Sequence, residues 1–321
     1  MRKRPSVVDL FSGAGGFARG FHEQGFLTAL AIDNDKAAAR SFKANFGTAI
    51  VLVEDVRNVS CDDIKYLVSN VDVVIGSPPC EPFTGANPRR KKDPLDRLYA
   101  DPIGSLVLEF IRLVQCLSPK VFIMENVPGI LDDGLKDALI NEFAKAGFKI
   151  YFNKLWAQKY GTPSNRVRIF ISNIPIKPPK VRKAPTVWEA IGDLPEPARD
   201  PIIPNHDPPP KLSPKKLKRV LRLKWDSSLI TFEGAGGRAM PNLIKLHPHK
   251  IAPTVLGSSR FIHPYEPRLL TVREQARLMG FPDDHVFLGG RDEQYNQVGE
   301  AVPPTVAKAI ASEVLTYLGG R

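Results

Sequence analysis

Short apolar runs, each ending in a polar or glycine-rich step, recur through the first half of the chain. Residues 6–11 (SVVDLF), 27–32, 49–53, 71–75 and 121–124 are rich in Val, Ile and Leu and nearly continuous. That is the pattern of strands buried on both faces of a parallel sheet. Helical patterns fall between them. Phe17 and Phe21 share one face of a helix over 18–23 that Gly25 stops, and Asp33-Asn34-Asp35 caps an Ala-rich helix over 36–46 that Gly47 closes. Residues 105–114 predict a further helix. Strand and helix alternate with short links, which predicts an α/β fold with a doubly wound, mostly parallel sheet.

The pattern changes near Pro175. Twelve of the 30 prolines lie between Pro175 and Pro214, which excludes long helices and central strands there. Apolar insertions such as Val187-Trp188 and Leu221-Arg222-Leu223 predict a small irregular domain rather than a tail. Order returns with a capping box at Thr271 and Glu274, opening a helix that runs to Gly280. Pro303-Pro304 opens a last helix with Val306, Ile310 and Val314 on one stripe, expected to pack back onto the first domain. The predicted division is 1–178 with 292–321 as one domain and 179–291 as the second.

Charge sharpens this picture. The 321 residues carry a net charge of +11, of which +7 sits in residues 177–225. Such concentration predicts a phosphate-backbone contact surface and a polyanionic partner. Three cysteines (Cys61, Cys80, Cys116) without CxxC spacing predict neither a disulfide framework nor a zinc site, and so a reducing, cytoplasmic setting. No metal is expected. No stretch approaches eighteen apolar residues, so neither a signal segment nor a membrane span is expected.

In open α/β sheets, ligands sit beyond the carboxyl ends of the strands, so the residues that follow each run are the candidates. Gly13, Gly15 and Ala18 fit the G-x-G-x-x-G/A fingerprint, with Asp33 twenty residues on. A nicotinamide dinucleotide and S-adenosylmethionine both carry the ribose that such an acid grips. Asp55, at the next strand end, is a candidate acceptor for an adenine amino group. Pro78-Pro79 forms a rigid, extended step that presents Cys80. With Glu125 and Asn165-Arg166-Val167-Arg168 near other strand ends, a thiol, an acid and guanidinium groups converge. These are what covalent attack on a pyrimidine requires. Carbon 5 of cytosine is a poor nucleophile until a thiolate adds to carbon 6, while an acid supports ring nitrogen 3 and an arginine the neighbouring carbonyl.

DLFSGAGGF, AIDND, EDV, SPPCEPFT, DPIGSL, MENVPG, NRVRIF, RLLTVREQARLMGFP and QVGEAVPPTVA resemble, in order, the motif series of the DNA cytosine-5 methyltransferase family. The resemblance covers residues 6–172 and roughly 250–316 and leaves the basic, proline-rich middle for a target-recognition domain. It implies the class I S-adenosylmethionine-dependent methyltransferase fold, with Cys80 as nucleophile, Glu125 at ring nitrogen 3, and Arg168 with Arg166 supporting the pyrimidine. By similarity, Phe11, Gly13, Ala14, Gly15, Gly16, Asp33, Asn34, Asp55, Val56, Ser77, Pro79, Leu106 and Val302 border S-adenosylmethionine. Arg89, Arg90, Lys91 and Lys92, in a segment that folds over a flipped base, would meet phosphates, as would Lys215, Lys216 and Lys218. The implied partner is double-stranded DNA, acted on by a monomer with a cognate restriction endonuclease. Because some members methylate transfer RNA, RNA is the alternative substrate. An inactive binding module and a nicotinamide-dependent oxidoreductase are further readings, and the last explains none of the later motifs.

Three positions depart from the family pattern. Glu81 stands where Gln is usual, Ser164-Asn165 replaces a Gln-containing pair, and Glu300 replaces the usual Asn of the last motif. The expectation is also that Arg168 and the substrate together activate the Cys80 thiol.

Overall fold

The computed structural model describes residues 4–319. Strand and helix alternate through the first half: β1 (Ser6–Leu10), α1 (Gly16–Glu23), β2 (Leu27–Asp33), α2 (Lys36–Asn45), β3 (Ile50–Val53), α3 (Cys61–Leu67), β4 (Val73–Gly76), α4 (Pro94–Tyr99), α5 (Leu106–Leu117), β5 (Val121–Asn126), α6 (Leu135–Lys145), β6 (Tyr151–Trp156) and β7 (Val167–Ser172). The second half adds α7 (Val187–Ile191), α8 (Pro214–Val220), β8 (Ser228–Glu233), β9 (Ala239–Lys245), β10 (Phe261–Ile262), α9 (Val272–Leu278), α10 (Arg291–Glu300) and α11 (Pro304–Gly319).

The main sheet has the order β3-β2-β1-β4-β5-β7-β6. β1 to β5 run parallel to their neighbours, and β7 alone is reversed, pairing antiparallel with both β5 and β6. The doubly wound sheet predicted from the alternating runs is what forms. Strand order reverses between β1 and β4, and the loops that leave neighbouring strands there part to opposite sides and open a crevice. The glycine turn follows β1, and Ser77 to Cys80 follow β4.

Apolar layers cover both faces. Phe110, Phe122, Met124 and Phe143 bury one side among α3, α5 and α6. On the other, Phe17 and Phe21 of α1 meet Val306, Ile310 and Val314 of α11, the stripe expected to pack back. Each such burial contributes roughly 1.5–3 kcal/mol. Gly20 makes the closest approach possible, because a Cβ there would collide with the Lys308 amide of α11.

A second sheet, β10-β9-β8, packs with α8 around Val220, Leu229, Leu243, Ile262 and Leu269. Between Pro175 and Pro214 the only helix among the described residues is the five-residue α7. The capping box forms as expected, with the Glu274 amide donating to Thr271 Oγ1 at 3.1 Å and the Thr271 amide donating to Glu274 Oε2 at 2.7 Å. Arg273, fully buried, donates to the carbonyls of Pro204, Pro282 and His285 and so ties the irregular middle to the C-terminal segment.

One expectation is corrected. Cys61, opening α3, and Cys116, in α5, form a disulfide with 6.3 Å between their Cα atoms. Spacing in sequence concealed the pair because 55 residues separate them, and only the packing of α3 against α5 brings them together.

Candidate active site

The glycine turn owes its shape to backbone that other residues resist. Phe11, Gly13 and Gly15 have φ of 57°, 54° and 91°, a region that costs a residue with a side chain about 1 kcal/mol or more. Phe11 accepts that strain. The end of β2 holds the turn: the Ser12 amide donates to the Ile32 carbonyl at 3.0 Å and the Gly13 amide to Asp33 Oδ2 at 2.7 Å. A Cβ on Gly16 would stand 2.5 Å from the Val302 carbonyl oxygen, so the last motif lies directly on the start of α1.

Several supports escaped sequence reasoning. His285 Nε2 bonds the Ala14 carbonyl at 2.9 Å. A carbonyl only accepts, so Nε2 carries the proton, and burial, which drives the imidazole pKa down to about 3, keeps the ring neutral. Asp9 lies buried under the turn, its carboxyl raised well above the usual range by burial and then by Asp33. The only signal for Asp9 was a polar residue inside an apolar run, and His285, directly after Asp283-Asp284, carried none.

Asn126 donates to the Pro78 carbonyl at 3.1 Å and sets the rigid step before Cys80. The Phe83 and Thr84 amides both close on the Cys80 carbonyl at 3.0 Å, a tight turn in which Cys80 as a whole is half-buried. Burial pushes that thiol up to about 11, with Arg168 pulling down and Glu125 and Glu81 pushing up. The expectation that Arg168 activates the thiol is therefore only half met: its pull is present but desolvation outweighs it.

Glu125 ends β5, and Arg168 lies at the start of β7 rather than at a strand end. Because β7 is reversed, its start falls on the same edge as the carboxyl ends of the parallel strands. Arg168 Nε stands 2.9 Å from Glu125 Oε1, yet that oxygen has no well-directed hydrogen bond. Burial raises the Glu125 carboxyl above its usual range against the pull of Arg168 and Arg166. Arg166 is only 1% exposed and donates to the Val255 carbonyl at 3.0 Å and the Ala301 carbonyl at 3.1 Å. Two nitrogens of its guanidinium thus hold backbone, while its Nε is buried without a partner. The Asn165 amide and carbonyl hold the Ala252 carbonyl and Thr254 hydroxyl, fastening this segment to the C-terminal half.

The remaining expected residues divide by surroundings. Val56, Leu106 and Val302 are buried, Ser77 and Pro79 half-buried, and Asn34 exposed. Asp55 is held by Arg57, whose Nε donates at 3.0 Å and whose second nitrogen donates at 2.6 Å. Burial and then Glu81 push the Glu300 carboxyl up to about 7. Arg90 is not free: its guanidinium lies 3.3 Å from Asp132, which also takes Arg97 at 2.7 Å. Arg97 in turn donates to the carbonyls of Lys91 and Lys92, fixing the backbone of the basic strip. Arg89 and Lys92 are exposed, as are Lys215, Lys216 and Lys218 on α8. A cavity of about 450 Å³ lies between Thr84, Gly85, Arg90, Asp132, Asn165 and Arg168. Among the described residues no cluster of His, Cys, Asp and Glu could hold a metal, and no helix is long and apolar enough to cross a membrane.

Comparison with known proteins agrees with this geometry. A family model for C-5 cytosine-specific DNA methylases matches residues 6–197 and 231–316. "Putative type II methyltransferase M.MJ0563P" of Methanocaldococcus jannaschii is 49% identical over 319 residues, covering 98% of this chain and all of that one. Type II methyltransferase M.DdeI of Desulfomicrobium norvegicum is 32% identical, covering 97% of this chain and 89% of the relative. Among solved structures, a "putative DNA modification methyltransferase" encoded within a prophage (E. coli) superposes with a TM-score of 0.78 at 26% identity, over 98% of this chain and 99% of that one. The chain belongs to the C-5 cytosine-specific DNA methylase family.

Proposed function

We propose that this enzyme transfers a methyl group from S-adenosylmethionine to carbon 5 of a cytosine flipped out of double-stranded DNA, through a covalent bond between Cys80 and carbon 6. The observation that carries the reading is the meeting of Cys80, Glu125 and Arg168 on one edge of the sheet, beside the point where strand order reverses.

The chain's residues fit the cofactor. The turn at 11–16 opens onto the N-terminus of α1, and a Cβ on Gly13 would meet nothing within 4 Å, so its outer side is free for a ligand. In this reading Phe11, Asp33, Asp55, Leu106 and Val302 would line the bound cofactor. Bound S-adenosylmethionine supplies an electrophilic methyl group.

Cys80 gives its proton to water and its Sγ bonds to carbon 6, which breaks the ring's conjugation and moves electron density to carbon 5. The Glu125 carboxyl, held protonated more readily by burial, supports nitrogen 3, and Arg168 holds the adjacent carbonyl oxygen. After carbon 5 has gained its methyl group, loss of the carbon 5 proton and departure of the Cys80 sulfur restore the ring. Flipping costs a few kcal/mol of stacking and pairing, met by phosphate contacts from Arg89, Lys91 and Lys92 and from Lys215, Lys216 and Lys218. Residues 1–178 with 292–321 form the catalytic part and 179–291 the target-recognition part. Names of the relatives support a place beside a type II restriction endonuclease.

Bisulfite sequencing of host DNA after expression tests the reading: 5-methylcytosine at one short sequence is expected. Methyl transfer to transfer RNA in preference to a DNA duplex, in direct competition, would contradict it.

A further inference from the structure

The β8–β9 hairpin reaches across to the catalytic segment. Its ladder ends at the Glu233–Ala239 pair, beyond which Gly234, Ala235, Gly236, Gly237 and Arg238 make the apex. The Ala235 amide donates to the Gly85 carbonyl at 3.0 Å, so the apex stands beside the cavity that Gly85, Thr84 and Arg168 line. Gly236 and Gly237 have φ of 69° and 76°, and the Gly234 amide closes on the Arg238 carbonyl at 2.8 Å. The backbone of Arg238 is thus fixed. Its side chain is exposed and has no hydrogen-bond or ion-pair partner among the described residues.

Three features select what this arginine meets. A two-stranded ribbon fits the major groove. An apex of glycines and one alanine lets backbone approach base edges closely. The clustered charges suited to phosphates lie elsewhere, on the 89–92 strip and on α8, leaving one planar guanidinium at the tip, and that fork matches the paired acceptors of guanine.

We propose that Arg238 is a specificity-determining residue that reads the major-groove edge of one guanine in the recognition sequence. This rests on the DNA-methylating reading above. The test determines the wild-type recognition sequence and then compares kcat/KM on duplexes carrying that sequence and each single base-pair change, for wild type, R238A and R238K. A lost guanine contact is worth about 5- to 150-fold. R238A should lose that much on the recognition sequence, with discrimination collapsing at one G·C pair and persisting elsewhere, while R238K retains part. Equal loss on every duplex with a shallower salt dependence would mark a phosphate contact and overturn the proposal. So would unchanged discrimination, or a fall in melting temperature showing that the side chain is structural. A wild-type protein that leaves DNA unmethylated overturns both readings; wild-type methylation with R238A unchanged overturns this one alone.

Discussion

Glu125 and Arg168 face each other at 2.9 Å, their side chains 6% and 13% exposed, and Cys80 feels both charges. Replacing Glu125 by Gln keeps volume and removes the acid. Steady-state methyl transfer by E125Q is expected to fall by about 10²–10³ in kcat, the size typical of one lost transition-state contact. Replacing Arg168 by Ala strands a buried carboxyl, so R168A should also lose about 3–5 kcal/mol in denaturant unfolding. An R168A protein as stable as wild type would show that the pair is not electrostatically coupled.

The free thiol of Cys80, pushed up to about 11, is protonated in the resting protein. At pH 8 only about 0.1% would be thiolate, far less than for an unperturbed cysteine. Iodoacetamide should therefore label Cys80 slowly at pH 8 and faster as pH approaches 11. Rapid labelling at pH 7 would mean that the site activates sulfur before substrate arrives.

Glu300, pushed up to about 7, binds its proton more tightly folded than unfolded. Its favourable contribution is complete below the unfolded carboxyl pKa and is lost as pH rises through 7. E300Q should melt higher than wild type at pH 8, with little of that gain at pH 5. Thermal unfolding at both values decides it, and a gain confined to pH 5 would reverse the assignment.

The Cys61–Cys116 bridge closes a 55-residue separation. Loop-closure entropy gives a contribution of about 4 kcal/mol as an upper figure. Reductant should lower the melting temperature, and denatured, unreduced protein should titrate with one thiol, that of Cys80. Three thiols would show the bridge absent.

Much of this was legible in the sequence because parallel strands buried on two faces leave continuous apolar runs, and the sheet then fixes where the polar residues after them point. Cys80, Glu125 and Asp33 follow from that rule alone. Arg168, expected by the same rule, reaches the working edge for another reason: its strand is reversed, and the antiparallel pairing with β5 puts its start there. The partners of Asp132, Ala14 and Cys61 lay out of reach for a similar reason. Arg90 and Arg97 reach Asp132, His285 reaches Ala14 and Cys116 reaches Cys61 across long stretches of chain, and no local pattern encodes such meetings.

Catalysis as proposed runs through a bond between Cys80 and carbon 6 of the base. A duplex whose target cytosine carries fluorine at carbon 5 cannot lose the proton that frees the sulfur, so the bond should persist. Incubation of that duplex with the enzyme and S-adenosylmethionine, followed by peptide mass spectrometry, is expected to find the methylated fluoropyrimidine nucleotide on Cys80 and none with C80A. Methyl transfer to ordinary DNA by C80A, or an adduct on another residue, would contradict the account.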